Sequence, residues 1–134
     1  GIMTPRIIEP DKAVPEPHRA LITPREVLCR NRPGYSAPLH PVWIPGMFML
    51  FRAEAFEEIS GFDERFFMYG EDFDICARLR LADWQITVVE QLRAVHAARR
   101  ASRRDSQHLR WHFMSLARVW TSRTFWRYRA LKGS

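Results

Sequence analysis

Cysteine is scarce in this 134-residue chain, and its two copies, Cys29 and Cys76, lie far apart with no Cys-x-x-Cys pair. That spacing excludes a zinc ribbon and a disulfide framework, and it makes a reducing compartment the default. Long hydrophobic runs are missing as well. The longest apolar stretch, residues 42–51, is interrupted by Pro45 and Gly46 and is too short to span a bilayer. No secretory signal pattern is visible, so the expected location is cytoplasmic. The six glycines build no Gly-rich phosphate loop, and no internal repeat occurs.

What is present argues for a folded chain. Hydrophobic content of 46% and aromatic content of 13% suffice for one domain with a modest core. The net charge of +6 is unevenly spread. Residues 99–134 hold ten Arg or Lys against one acid, Asp105, a net +9, which leaves −3 for the remainder. The basic tail is therefore a separate device from the acidic part.

Residues 1–41 carry most of the prolines and read as an extended segment. They leave room for one short helix over 24–30, with Thr23 as its cap and Pro24 in the first turn. Residues 42–51 read as a buried strand and 53–59 as a short amphipathic helix, with Ala53, Phe56 and Ile59 inward. Gly61 is available for a left-handed helix end. Residues 84–90 alternate, with Ile86 and Val88 on one face, and predict a strand. From Asp105 or Ser106 a single long helix is expected to about Leu131. Its stripe is Leu109, His112, Phe113, Leu116 and Trp120, flanked by arginines. Basic residues around such a stripe suit an interfacial membrane helix; packing on the domain itself or on a twofold mate is the alternative. No recognised nucleic-acid module accompanies the arginines, so nucleic acid is not an expected partner.

The chain is organised around residues 61–74, where Glu71, Asp72 and Asp74 open a helix predicted over 71–83. Carboxylates at a helix N-terminus are favoured by its partial positive charge, which is a sufficient structural explanation. The aromatic wall before them, Phe66, Phe67, Met68 and Tyr69, admits a second reading. Apolar surroundings raise a carboxylate's proton affinity, as a general base needs. Asp74 favours the structural reading, because Arg78 stands four residues on and can pair with it.

The run from Gly46 to Arg52, then Phe56, then Gly61-Phe62-Asp63-Glu64 and Phe66-Phe67-Met68-Tyr69-Gly70-Glu71-Asp72-Phe73-Asp74, resembles the C-terminal half of family 2 glycosyltransferases. Bacterial rhamnosyltransferase-like members are the nearest likeness, and it extends over residues 43–96. The resemblance implies an α/β fold: the C-terminal portion of a GT-A-like mixed sheet with flanking helices, followed by the long basic helix. It divides the chain into an extended segment (1–41), an acceptor-side catalytic half (42–98) and a helical tail (99–134).

The chemistry it implies is inverting transfer of a sugar from a nucleotide diphosphate sugar to a saccharide or lipid-linked acceptor. Asp72 matches the general base, and Glu71 a residue that orients the acceptor or tunes Asp72. Trp43, Phe67 and Tyr69 would bind the acceptor, and His96 would complete a divalent metal site for Mg²⁺ or Mn²⁺. The chain departs from the family pattern at Ser60, at Asp83, where glycine is usual, and at Glu90-Gln91. Asp83 is expected to change the turn there. The nucleotide-binding half, with its Asp-x-Asp metal motif, is expected to precede residue 1, so the fragment should be inactive alone and hold no metal tightly. Its exposed strand edges would favour self-association, and its tail peripheral contact at the inner face of the plasma membrane. The competing class is a non-catalytic interaction module presenting a basic aromatic helix to a membrane or a protein.

Overall fold

The computed structural model describes residues 1–8, 18–96 and 106–133. A three-stranded mixed sheet is backed by five helices. Strand β1 (Ile2–Ile8) lies at its centre. On one side it pairs antiparallel with the two-residue β2 (Leu50–Phe51), Ile2 opposite Phe51. On the other it runs parallel to β3 (Ile86–Val95), from Ile2 opposite Ile86 to Ile8 opposite Val95. Pro5 has no N–H to give the ladder, and the register shifts between Pro5 and Arg6. Burial follows the shift. Ile2 and Thr4 are buried two apart, and the next buried residue is Ile7.

Three expectations for the sheet are thereby corrected. The strand read over 84–90 starts at Ile86 and runs on to Val95. The extended reading of residues 1–41 missed β1, because Pro5 and its register shift break the period of two that marks a strand. The strand expected over 42–51 shrinks to Leu50–Phe51. Pro45 and Gly46 interrupt it, and Trp43 keeps only an isolated bridge to Arg19.

Helix α1 (Pro24–Cys29) forms where expected, with Thr23 Oγ1 accepting from the Glu26 amide at 3.1 Å. Helix α2 (Ala53–Glu58) ends in left-handed residues Ser60 and Gly61, at φ 60° and 65°. Helix α3 (Glu71–Leu81) is the centre of the core, with Phe73, Ile75, Cys76, Ala77 and Leu79 all buried. Its Asp74 is buried and its Oδ2 lies 2.7 Å from Arg78 Nε, the four-residue pair read from the spacing. Arg78 also donates to the Ile59 carbonyl at 2.7 Å, tying α3 to the end of α2. Burial pushes the Asp74 carboxyl upward and Arg78 pulls it back only in part. Asp74 is thus a structural acid.

The single long basic helix is instead two, α4 (Ser106–Thr121) and α5 (Arg123–Gly133). Ser122 makes the break. Its hydroxyl donates to the Val119 carbonyl at 2.7 Å and accepts from the Phe125 amide at 3.1 Å, so it ends one helix and caps the next. The turn lets α5 fold back on α3, where Phe73 meets Phe125 and Tyr128 at ring separations of 6.0 and 6.2 Å. Tyr128, fully buried, donates to the Val42 carbonyl. Trp120 donates to the Ile22 carbonyl at 2.7 Å and pins α4 over the stretch before α1.

Asp83 adopts φ 63°, a left-handed conformation that glycine takes most readily, so this aspartate tolerates the angle. A β-branched side chain cannot take that angle without strain. Asp83→Gly is expected to lie within about 0.5 kcal/mol of the parent in urea unfolding, and Asp83→Val to lose about 1–2 kcal/mol. Equal stabilities for the two variants would contradict the turn described here.

Candidate functional site

Helix α3 begins on an unusual turn. Tyr69 and Gly70 both have positive φ, 69° and 83°, so the chain doubles back just before Glu71. A Cβ at Gly70 would stand 3.1 Å from Val119 Cγ2 and 3.2 Å from Phe66 Cε1, so glycine is favoured by tight space as well as by angle. Helix α4 clamps this turn through Ser115, whose hydroxyl donates to the Met68 carbonyl at 2.7 Å. Phe66 is buried beneath the Arg118 guanidinium, 5.7 Å from its ring. The start of α3 is therefore fixed from the α4 side.

A cleft of about 180 Å³ opens at that point, lined by Trp43, Pro45, Tyr69, Gly70, Glu71 and Asp72 on one side. Arg19, Ile22, Arg30, His112, Ser115 and Leu116 complete it. Asp72 Oδ1 accepts from the Phe73 amide at 2.8 Å and Oδ2 from the Gly46 amide at 3.2 Å. These bonds orient the carboxylate and favour its charged form. Burial, and after it the adjacent Glu71 charge, outweigh them and push Asp72 up to about 6. A carboxylate poised there is ionised near neutral pH and basic enough to take a proton. Glu71 Oε2 is buried and has no hydrogen-bond partner among the described residues.

The opposite wall is basic. Arg19 lies 5.9 Å from the Trp43 ring centroid and exerts a downward pull on Asp72. His112 is pushed down by burial and then by Arg30, which favours its neutral form. Its ring sits 4.9 Å from that of Tyr69, whose hydroxyl meets His108 Nδ1 at 3.0 Å.

The residues read from the sequence divide here. Glu71, Asp72, Tyr69 and Trp43 meet in the cleft. Trp43 is only 6% exposed; its indole donates to the Ala20 carbonyl at 2.7 Å and packs edge-on to Phe73, so its place is in the core beneath the cleft. Phe67 does not line the cleft. It is 76% exposed and leans on Trp111 of α4 at 5.2 Å. His96 follows β3, its amide bonded to the Ile8 carbonyl at 2.9 Å, and is not part of the cleft lining. Among the described residues no three His, Cys, Asp or Glu side chains are grouped to hold a metal ion. The donor set implied for Mg²⁺ or Mn²⁺ is therefore not assembled by them.

Arg19, Arg30, His112 and the Gly46 amide were not found as site groups by sequence reasoning. Arg19 and Arg30 lie in the proline-rich segment without a motif, and His112 was absorbed into the apolar stripe of α4. No spacing rule links positions 19, 30, 46, 72 and 112.

A family model described as "Glycosyl transferase family group 2" matches residues 2–133. Rhamnosyltransferase WbbL of Escherichia coli (strain K12) is 42% identical over 77 residues, which cover 57% of this chain and 29% of that protein. An N-acetylglucosaminyl-diphospho-decaprenol L-rhamnosyltransferase of Mycobacterium tuberculosis is 39% identical over 74 residues, 54% of this chain and 24% of that protein. The chain thus spans less than a third of the curated relatives it matches. No solved structure matches.

The raised Asp72 value has a defined sign in folding. The folded state keeps a proton up to about pH 6, whereas the unfolded carboxyl loses it near 3.8. Between those values the native state binds more protons, so Asp72 costs stability as pH rises through this window. Replacing it with Asn removes that dependence. From pH 4 to pH 7.5 the stability of Asp72→Asn should move relative to the parent by on the order of 2 kcal/mol in the variant's favour. A constant difference across the range, measured by urea denaturation, would show that Asp72 titrates normally.

Proposed function

The chain belongs to glycosyl transferase family group 2, and from that premise we propose that its cleft is the acceptor-side half of an inverting sugar-transfer site. The single observation that carries this reading is Asp72, held by two backbone amides, raised to about 6 and facing a cleft. An acceptor hydroxyl within hydrogen-bond reach of Asp72 gives its proton to the carboxylate as its oxygen attacks the anomeric carbon of the donor. The new glycosidic bond forms as the bond to the nucleotide diphosphate breaks, with inversion. Glu71, carrying like charge next door, keeps Asp72 basic. Tyr69 and His112 form an aromatic wall along which a sugar ring can lie, and Arg19 and Arg30 offer cations to phosphate oxygens.

The names of the relatives support a rhamnosyl donor and, for the mycobacterial protein, an acceptor carrying a diphosphate on a lipid. We extend both to this chain as proposals. A GT-A arrangement, in which a nucleotide-binding portion completes the sheet, is consistent with the small share of the relatives that the chain covers. On this reading residues 1–134 alone do not turn over. The competing interaction-module reading accounts for Asp72 as a link between the Gly46 amide and the start of α3, and gives no role to its raised proton affinity.

In a complete transferase carrying these residues, Asp72→Asn should lower kcat by about 10²–10⁴-fold with folding intact by circular dichroism. The activity–pH profile of the parent should show an acidic limb near pH 6, and Glu71→Gln should move that limb downward. Undiminished transfer by Asp72→Asn would remove the base from this residue and leave only the scaffold reading. Sugar transfer by the isolated chain would overturn the half-site account.

A further inference from the structure

The outward face of α4 is uncovered. Leu109, Phe113 and Met114 are 54%, 65% and 51% exposed, on neighbouring turns, and Arg110 beside them is exposed too. Phe67 extends the strip from the loop before α3, edge-on to Trp111. Beyond Met114 the strip runs into an open groove of about 700 Å³ at the α4–α5 corner. Three arginines line it, Arg65, Arg118 and Arg123, together with threonine and serine hydroxyls. Among the described residues no carboxylate lines the groove. The acid at its edge is Asp63, which holds the Arg65 guanidinium at 2.6 Å. Arg118 is turned inward to the Arg65 carbonyl and the Phe66 ring.

We infer that the outer face of α4, continued by the groove at the α4–α5 corner, docks on an anionic phospholipid surface. An apolar strip contiguous with a basic groove matches the two layers of such a surface. Leu109, Phe113 and Met114 reach the acyl boundary while Arg110 and Arg123 meet lipid phosphates. Charge and polarity decide against two other occupants. A second copy on a twofold axis would set basic groove against basic groove in a tail of net +9. Nucleic acid would satisfy the arginines and leave Leu109 and Phe113 in water. His112, which lines the cleft, directly precedes Phe113 in α4. Docking would therefore hold the Asp72 cleft next to the bilayer, within reach of a lipid-borne acceptor. That last link rests on the function proposed above; the docking does not.

The test is co-sedimentation of the chain with vesicles of phosphatidylcholine alone and with one quarter phosphatidylglycerol, at low and physiological salt. Partition is expected on the anionic vesicles, weakened by salt and at least tenfold lower on the neutral ones. Arg110→Glu and Arg123→Glu should each lower it about fivefold or more. Phe113→Ser and Leu109→Ser should each lower it about tenfold. Leu92→Ser, on exposed β3, should leave it unchanged, with circular dichroism confirming the fold of every variant. Equal partition on both vesicle types, or none, overturns the inference. So does tighter binding to an oligonucleotide that Phe113→Ser does not weaken, or a dimer in sedimentation equilibrium that Phe113→Ser dissociates. Because no turnover is read, failure here leaves the Asp72 proposal standing, and failure of the Asp72 variant leaves the docking standing.

Discussion

The turn at Tyr69 and Gly70 is the constraint on which the site depends. Two consecutive residues with positive φ reverse the chain so that α3 starts under α4 and not along the aromatic run before it. At Gly70 a side chain would press on Val119 and Phe66. The other, Tyr69, carries a strained backbone that the Ser115 bond to Met68 and the His108 and His112 contacts hold in place. Stability stored in the α4 contacts is thus spent on aiming the first turn of α3 into a cleft.

Three acids within four residues end in three different states, and the helix explains why. Asp74 lies two residues beyond Asp72, on nearly the opposite side of α3, where Arg78 meets it inside the core. Asp72 faces Gly46 and the cleft, where the downward pull of Arg19 is smaller than the upward push of burial. Glu71 stays beside it with a buried oxygen that lacks a partner. The cluster that looks uniform in sequence is one structural ion pair and one coupled carboxylate pair. Only the second has the electrostatics of a proton acceptor.

The same helix serves two surfaces. The inner side of α4 gives Ser115, Leu116 and Val119 to the core and His112 to the cleft. Its outer side leaves Leu109, Phe113 and Met114 in solvent. On the docking inferred above, that uncovered side and the arginines at the α4–α5 corner form one continuous surface. Among the described residues no helix is long and apolar enough to cross a membrane.

The sequence by itself determined the local events whose causes lie within a few residues. Thr23 caps α1, helices form over 53–58 and 71–81 close to where they were expected, and Arg78 pairs with Asp74, although Ala55 and not Ala53 is the alanine that α2 buries. It did not determine what requires distant partners. β1 was hidden by Pro5, and its register to β3 is set by pairing across more than eighty residues. Ser122 reads as an ordinary helix residue until α5 finds Phe73 and Val42 to pack on. Arg19, Arg30, Gly46 and His112 come from four separate stretches and share no pattern. Nor is the proton affinity of Asp72 written in its neighbours along the chain, because burial, its largest cause, exists only once α4 and the loop at Gly46 close around α3. Local geometry follows from side chains a few bonds apart; desolvation and convergence are properties of the packed whole.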